Sequence, residues 1–151
     1  MYKRQVQDRH RLLDGSLSLG ELLRRHGLAL RADLLTPWAR WITPEISPRR
    51  FDTWFFAAAL PDGQLAGLVT ARPGESDSGT WWRPSAALEA ARAGQITLLP
   101  PTAVTLAELA AYPDIGGILG ERRVITPLMP TVVVEDERTW LAMPPAVEYP
   151  L

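Results

Sequence analysis

The stretch that most constrains this chain runs from residue 38 to residue 61, WARWITPEISPRRFDTWFFAAALP. Its Trp, Phe, Ile and Thr residues fit a pleated surface, and Pro37, Pro44 and Pro48 mark breaks or edges. Two strands are expected, over residues 34–42 and 51–60, joined by a proline-punctuated loop. In the second strand one alternate set is Phe51, Thr53, Phe55, Ala57 and Ala59. The other, after Asp52, is Trp54, Phe56, Ala58 and Leu60. A strand apolar on both faces belongs in the middle of a covered sheet. Residues 51–60 are therefore expected to be central, with Trp38, Trp41, Trp54 and the three phenylalanines in the core.

A chain of 151 residues can bury one real core, and a single domain is expected over residues 6–151. The net charge of −1 gives no global field toward nucleic acid or an anionic membrane, so neither is expected as a partner. The absence of cysteine excludes disulfides, thiolate nucleophiles and cysteine metal sites. His10 and His26 are the only histidines, too few for a three-histidine metal centre. No apolar run approaches the about 20 residues of a membrane span, and the start lacks the apolar core of a secretory signal. The expected location is the cytoplasm.

Fifteen arginines stand against one lysine, Lys3, a skew that suggests a GC-rich genome. Lys3 lies in residues 1–5, MYKRQ, which resemble the translation of a sequencing-adapter end. These five residues are set aside as a non-native start, and the chain is expected to be the tail of a longer gene.

Residues 8–14 read as a helix end or linker. Ser18-Leu19-Gly20-Glu21 has the form of a capping box, so a short helix should run to about His26 and stop at Gly27. Its apolar face would be Leu19, Leu22 and Leu23, and His26 reads as structural. Pro61-Asp62-Gly63 signals a turn, and residues 64–79 a long connection. Thr80-Trp81-Trp82-Arg83 reads as a third strand. Pro84 opens a helix to about Ala93, ended by Gly94. Pro100-Pro101-Thr102 opens another to about Tyr112, with Leu106, Leu109 and Ala110 buried, unless Thr105 and Glu108 form its cap. Residues 113–120 suggest one weak helical turn, and residues 131–134 and 139–143 a hairpin or two edge strands.

The acid–base inventory is thin. Glu135-Asp136-Glu137 is the one tight acidic cluster, and a turn of solvated charge explains it. No E-x-x-x-E pair and no adjacent Glu pair is present to gather oxygen ligands for a hard cation. Arg49-Arg50, at the start of the second strand, could hold phosphate oxygens bidentately, or be solvated, or pair with Asp52. Glu75, with Asp77, lies in the long loop and could act as a general base or contact a metal-bound water, or be a solvated acid.

Several of these stretches line up with one family. Trp41-Ile42-Thr43-Pro44, then Arg49-Arg50-Phe51-Asp52-Thr53, then residues 55–61 resemble the W-x-T-P, R-R-F/Y-D-T-x-F-F and A-L-P segments of Nudix hydrolases, in particular the acyl-coenzyme A diphosphatase-like branch. Glu75-Ser76-Asp77 with Trp81, Trp82, Pro84 and Ala86-Ala87-Leu88 is similar to the next segment. Ile96, Leu98-Leu99-Pro100-Pro101-Thr102 and Leu106-x-x-Leu109 are similar to the one after it. Residues 13–19 resemble an insertion carried after the catalytic helix. The Nudix box itself, G-x5-E-x7-R-E-U-x-E-E-x-G-U, is missing: the chain has no Arg-Glu and no Glu-Glu pair.

The resemblance implies an α/β fold, part of an α/β/α sandwich with a mixed sheet. It implies a parent enzyme that uses Mg2+ or Mn2+ on a small-molecule diphosphate substrate. The main metal ligands would lie in the missing box, with none in this chain. Carried over by position, Glu75 becomes a candidate catalytic acid, and Trp41, Arg49, Arg50 and Trp82 become candidate substrate contacts. A homodimer is left open. The other reading is a non-catalytic α+β binding module, complete as written.

Overall fold

The computed structural model describes residues 2–62, 80–135, 138–145 and 147–151. Within it the aromatic stretch forms two antiparallel strands, β1 (Thr36–Ile42) and β2 (Asp52–Ala57). Thr53 stands opposite Trp41, Trp54 opposite Arg40, and Phe55 opposite Ala39. The register slips between Pro37 and Ala39, which leaves Trp38 as an extra residue in β1. Such a bulge breaks strict alternation, so Trp38 and Ala39 are consecutive yet both buried.

The centre of the sheet is β1, not the 51–60 strand. A two-residue strand, β3 (Pro127–Leu128), pairs with β1 in parallel, giving the order β2-β1-β3. The protein is thus α/β with a mixed sheet. Edge strand β2 leaves Phe51, Trp54 and Phe56 exposed, with Trp54 at 44% of its full accessibility against 2% for Trp38. These aromatics partner each other and charge instead. Trp54 stacks on Phe56 with centroids 6.3 Å apart, and the Arg40 guanidinium lies 5.3 Å from the Trp54 ring. Arg40 also grips Asp52 through two hydrogen bonds, the Nε one at 2.8 Å.

Helix α3 (Pro84–Arg92) starts at its proline and ends before Gly94, whose φ of +70° suits a residue without a side chain. The preceding residues 80–83 are irregular, with Trp81 and Trp82 exposed, so the expected third strand is not formed. Apolar content alone made it read as a strand, and the three-stranded order gives it no neighbour. Helix α4 (Pro100–Ala110) begins at Pro100, so Thr105 and Glu108 are not its cap. Its buried residues are Ala103 and Val104, with Leu109 packed against the core, whereas Ala110 is exposed. Helix α5 (Ile115–Gly120) is capped by Asp114, which accepts from the Gly117 N–H at 2.9 Å. Strands β4 (Thr131–Glu135) and β5 (Arg138–Ala142) form the expected hairpin as a separate two-stranded sheet. The Arg92 guanidinium donates twice to the Pro150 carbonyl, at 2.9 and 3.1 Å, and anchors the tail to α3.

The core centres on Trp38, Ala39, Trp41 and Val104. A polar knot sits beside it. Glu108 of α4 accepts from the Trp38 indole N–H at 2.8 Å and from both terminal nitrogens of Arg123, at 2.7 and 2.9 Å. Arg123 also lies 4.5 Å from the Trp38 ring, and Tyr112 packs edge-on against Trp38 at 5.5 Å. The Tyr112 hydroxyl donates to Glu121 at 2.9 Å. Bonding to the carboxylate holds Arg123 still more firmly protonated, and bonding to Glu121 raises the Tyr112 pKa.

The chain divides into two units, Met1–Leu34 and Leu35–Leu151, and all of the above lies in the second. The first holds helices α1 (Tyr2–Leu13) and α2 (Leu19–His26). The capping box is present in full: Ser18 accepts from the Glu21 N–H and Glu21 from the Ser18 N–H. Gly27 closes α2 at φ +60°. His26 contacts Asp8 at 2.9 Å and so ties α2 to α1. Among the described residues no helix is long and apolar enough to cross a membrane.

The two buried tryptophans differ in one respect. The Trp38 N–H has Glu108, while the buried Trp41 N–H has no hydrogen-bond partner among the described residues. Trp38→Phe and Trp41→Phe remove similar volume, but only the first breaks a charge-assisted hydrogen bond. In urea melts, Trp38→Phe should be less stable than Trp41→Phe by about 1.5–3 kcal/mol. Equal losses would mean that the bond to Glu108 contributes nothing.

Candidate functional site

The loop between β1 and β2 is closed by its own backbone. The Thr43 N–H donates to the Phe51 carbonyl at 3.0 Å, and the Phe51 N–H donates to the Thr43 hydroxyl at 3.0 Å. Within the loop the Ser47 N–H donates to the Pro44 carbonyl at 3.1 Å, and the Ser47 hydroxyl to the Arg49 carbonyl at 2.9 Å. These bonds hold Arg49 and Arg50 at the foot of β2. The Arg50 Nε donates to the Thr43 carbonyl at 3.0 Å, and a terminal nitrogen lies 3.5 Å from the Met129 sulfur. The Arg49 guanidinium lies 5.0 Å from the Phe51 ring centroid, within cation–π range.

Beside this loop is a cleft of about 440 Å3. Trp41, Thr53 and Phe55 of the hairpin contribute one wall, extended by Thr43 and Phe51. The first turn of α4, from Leu99 to Thr102, contributes another, and Pro130 and Leu141 come from the region of the β4–β5 hairpin. Register explains the first wall: Thr53 is paired with Trp41, and Phe51, Thr53 and Phe55 alternate on one face of β2. Among the described residues no charged side chain is in the lining, and threonine is its only hydroxyl-bearing residue type.

The α4 end is unusual chemistry for a helix N-terminus. Four backbone N–H groups are ordinarily free there and favour anions. Pro100 and Pro101 have no N–H, and the Thr102 N–H donates to the Leu99 carbonyl at 2.9 Å, so three of the four positions offer no free donor. The start of α4 offers apolar rings where a phosphate-binding helix offers donors.

Of the residues expected to form a site, the structure brings three together. Trp41 is in the wall, and Arg49 and Arg50 are held at its edge through Phe51 and Thr43. The alternative pairing with Asp52 does not occur, because Asp52 takes Arg40. Neither Arg49 nor Arg50 is in an ion pair among the described residues. Trp82 does not line the cleft; it is exposed in the irregular residues before α3. Glu75, with Asp77, lies outside the described residues, as do Asp136 and Glu137 of the acidic cluster. Phe55, Leu99 and Leu141 were not singled out in the sequence. The stretch Leu98-Leu99-Pro100-Pro101-Thr102 was noted as a helix start and as one of the family-like segments, but not as a wall of the site.

The divalent cation implied by the resemblance finds no ligand set here. Among the described residues no three His, Asp or Glu side chains converge. Several carboxylates are committed elsewhere: Glu108 to Arg123 and Trp38, Asp52 to Arg40, Asp33 to Arg31, and Glu21 to the α2 cap.

Set against known proteins, part of the chain has relatives. It is 35% identical to the acyl-coenzyme A diphosphatase NUDT19 of Xenopus laevis over 91 residues, covering 54% of this chain and 22% of that protein. It is 34% identical to the putative nudix hydrolase 7 of Caenorhabditis elegans over 83 residues, covering 55% of this chain and 27% of that protein. The chain thus spans about a quarter of the length of these relatives. No protein-family model matches the chain, and no solved structure does. The two relatives support a relationship to the Nudix hydrolases.

The Arg40–Asp52 pair at the outer side of the hairpin has a pH signature. The Arg40 hydrogen bonds lower the Asp52 pKa from its ordinary 3.8. A lowered carboxylate pKa adds stability above the unfolded value, and that stability is lost as pH falls through the lower folded value. The stability gap between the parent chain and Asp52→Asn should therefore be constant at neutral pH and shrink below about pH 4. Chemical denaturation at several pH values reads this. A gap that widens on acidification would contradict the pairing.

Proposed function

We propose that this chain is the C-terminal part of a Nudix-type hydrolase. The whole protein would cleave a nucleoside diphosphate-linked or coenzyme A-type substrate with the help of Mg2+ or Mn2+. One observation carries the reading. Trp41, Thr43, Phe51 and Thr53, which lie in the two segments that most resemble the family, meet as neighbours around one cleft with Arg49 and Arg50 at its edge. The names of the two relatives favour the same class, and that of NUDT19 favours acyl-coenzyme A diphosphates within it.

On this reading the chain's own residues bind and orient. The cleft excludes water from the part of the substrate that it covers, and the bonded loop sets the direction in which the two guanidiniums face. Arg49, which among the described residues is held only by the Phe51 ring, can turn toward a phosphate oxygen. Arg50, fixed on the Thr43 carbonyl, positions the loop. Among the described residues no three His, Asp or Glu side chains converge, and on this reading the ligands of the cation lie in the Nudix box, which this chain lacks, so no step of the reaction is assigned to it.

The purified chain should show no Mg2+- or Mn2+-dependent hydrolysis of coenzyme A or of a nucleoside diphosphate derivative. A longer protein carrying a glutamate-rich helix ahead of Asp8 should hydrolyse one of them, with Arg49→Gln raising KM about tenfold while kcat changes little. Turnover by the present chain, or an intact gene with no such helix, would overturn the assignment and favour a non-catalytic binding module.

A further inference from the structure

We propose that the cleft between the β1–β2 hairpin and the first turn of α4 is a site for an alkyl chain that ends in an oxyanion, and that it excludes bare phosphate. Nothing in this depends on the hydrolase reading, since a chain without catalysis would bind the same ligand.

The volume, about 440 Å3, falls within the about 300–1,000 Å3 typical of small-molecule sites. Its walls are tryptophan, phenylalanine, leucine and proline, with threonine the only hydroxyl-bearing type. A phosphate entering this space would lose its hydration and meet no charge-bearing wall residue. The helix end that would ordinarily compensate it is poorly equipped, because two prolines and the Thr102 bond to the Leu99 carbonyl take three of the four donors of the first turn. Methylene groups face no such penalty and gain about 0.8 kcal/mol each on burial.

Charge complementarity sets the other end of the ligand. The cleft edge carries two guanidiniums, and neither has a carboxylate partner among the described residues. Among the described residues the Arg49 side chain touches only the face of Phe51, a wall residue, which leaves its donors available to an oxyanion. An anionic head at this edge and an apolar tail along the wall satisfy both features at once. Carboxylate and phosphate monoester heads share this chemistry, and the experiment separates them.

The test is calorimetric titration of the purified chain, below micelle-forming concentrations, with hexanoate, octanoate, decanoate, decyl phosphate, decanol and inorganic diphosphate. Affinity should rise about fourfold per added methylene from hexanoate to decanoate. Decyl phosphate binding more tightly than decanoate would identify the head as a phosphate ester, and the reverse as a carboxylate. Decanol should bind at least fivefold more weakly than decanoate, and inorganic diphosphate should not bind.

Leu99 supplies a variant that should fold. It is 70% exposed and holds the N-cap position of α4, where aspartate is a favoured residue. Leu99→Asp should keep or raise the melting temperature and weaken decanoate tenfold or more. Arg49→Gln should weaken decanoate at least fivefold and leave decanol unchanged. Affinity independent of chain length, diphosphate binding as tightly as decanoate, or an Arg49→Gln variant with full decanoate affinity would each overturn the proposal.

Discussion

The second unit hangs on the carboxylate of Glu108. It receives three hydrogen bonds, one from the Trp38 indole and two from Arg123, and Arg123 also covers the ring of the same tryptophan. Bonds to a charged group are stronger than neutral ones, and a set that shares one acceptor polarises it further. Three stretches far apart in sequence meet at this point: β1, α4, and the segment that follows α5. Because Trp38 sits at the bulge, the knot holds the sheet where its alternation breaks. Because Arg123 lies four residues before β3, the same knot brings that short strand to the side of β1. Fixing α4 at Glu108 then fixes its first turn, and with it the wall that faces the cleft.

This shows what in the chain was legible from residues alone. Local signals read correctly because their physics is local. The Ser18–Glu21 capping box, the Gly27 stop and the proline starts of α3 and α4 are each decided within a few residues. The Phe51–Leu60 stretch failed as a central strand for the opposite reason. Two apolar faces can mean two covering layers, or, as here, one face on the core and another on which Trp54 partners Phe56 and the Arg40 guanidinium. Sheet order decides between them, and it depends on β3, a strand of two residues that no pattern could announce. Residues 80–83 failed similarly: paired tryptophans suggest a strand only where a neighbouring strand exists to receive it.

The site was legible in part. Arg49, Arg50 and Trp41 were singled out from residue chemistry and resemblance, and a closed hairpin loop holds the two arginines near the tryptophan's wall. The α4 wall was not found, because its distance in sequence from Trp41 hides the contact. Its meaning also runs against expectation. A helix start beside paired arginines would ordinarily suggest phosphate, yet Pro100 and Pro101 remove the donors that such a site uses. The cleft therefore divides its labour, with apolar walls inside and cations at the edge.

The central proposal is that this chain contributes substrate-binding walls while the carboxylates for a divalent cation lie outside it. Titration of the chain with Mn2+, followed by the electron paramagnetic resonance signal of the free ion, tests it most directly. The account predicts that the free-ion signal grows in proportion to added Mn2+ through the micromolar range, as it does in buffer. A stoichiometric loss of that signal, reversed by Mg2+, would show a resident metal site in this chain and contradict the account.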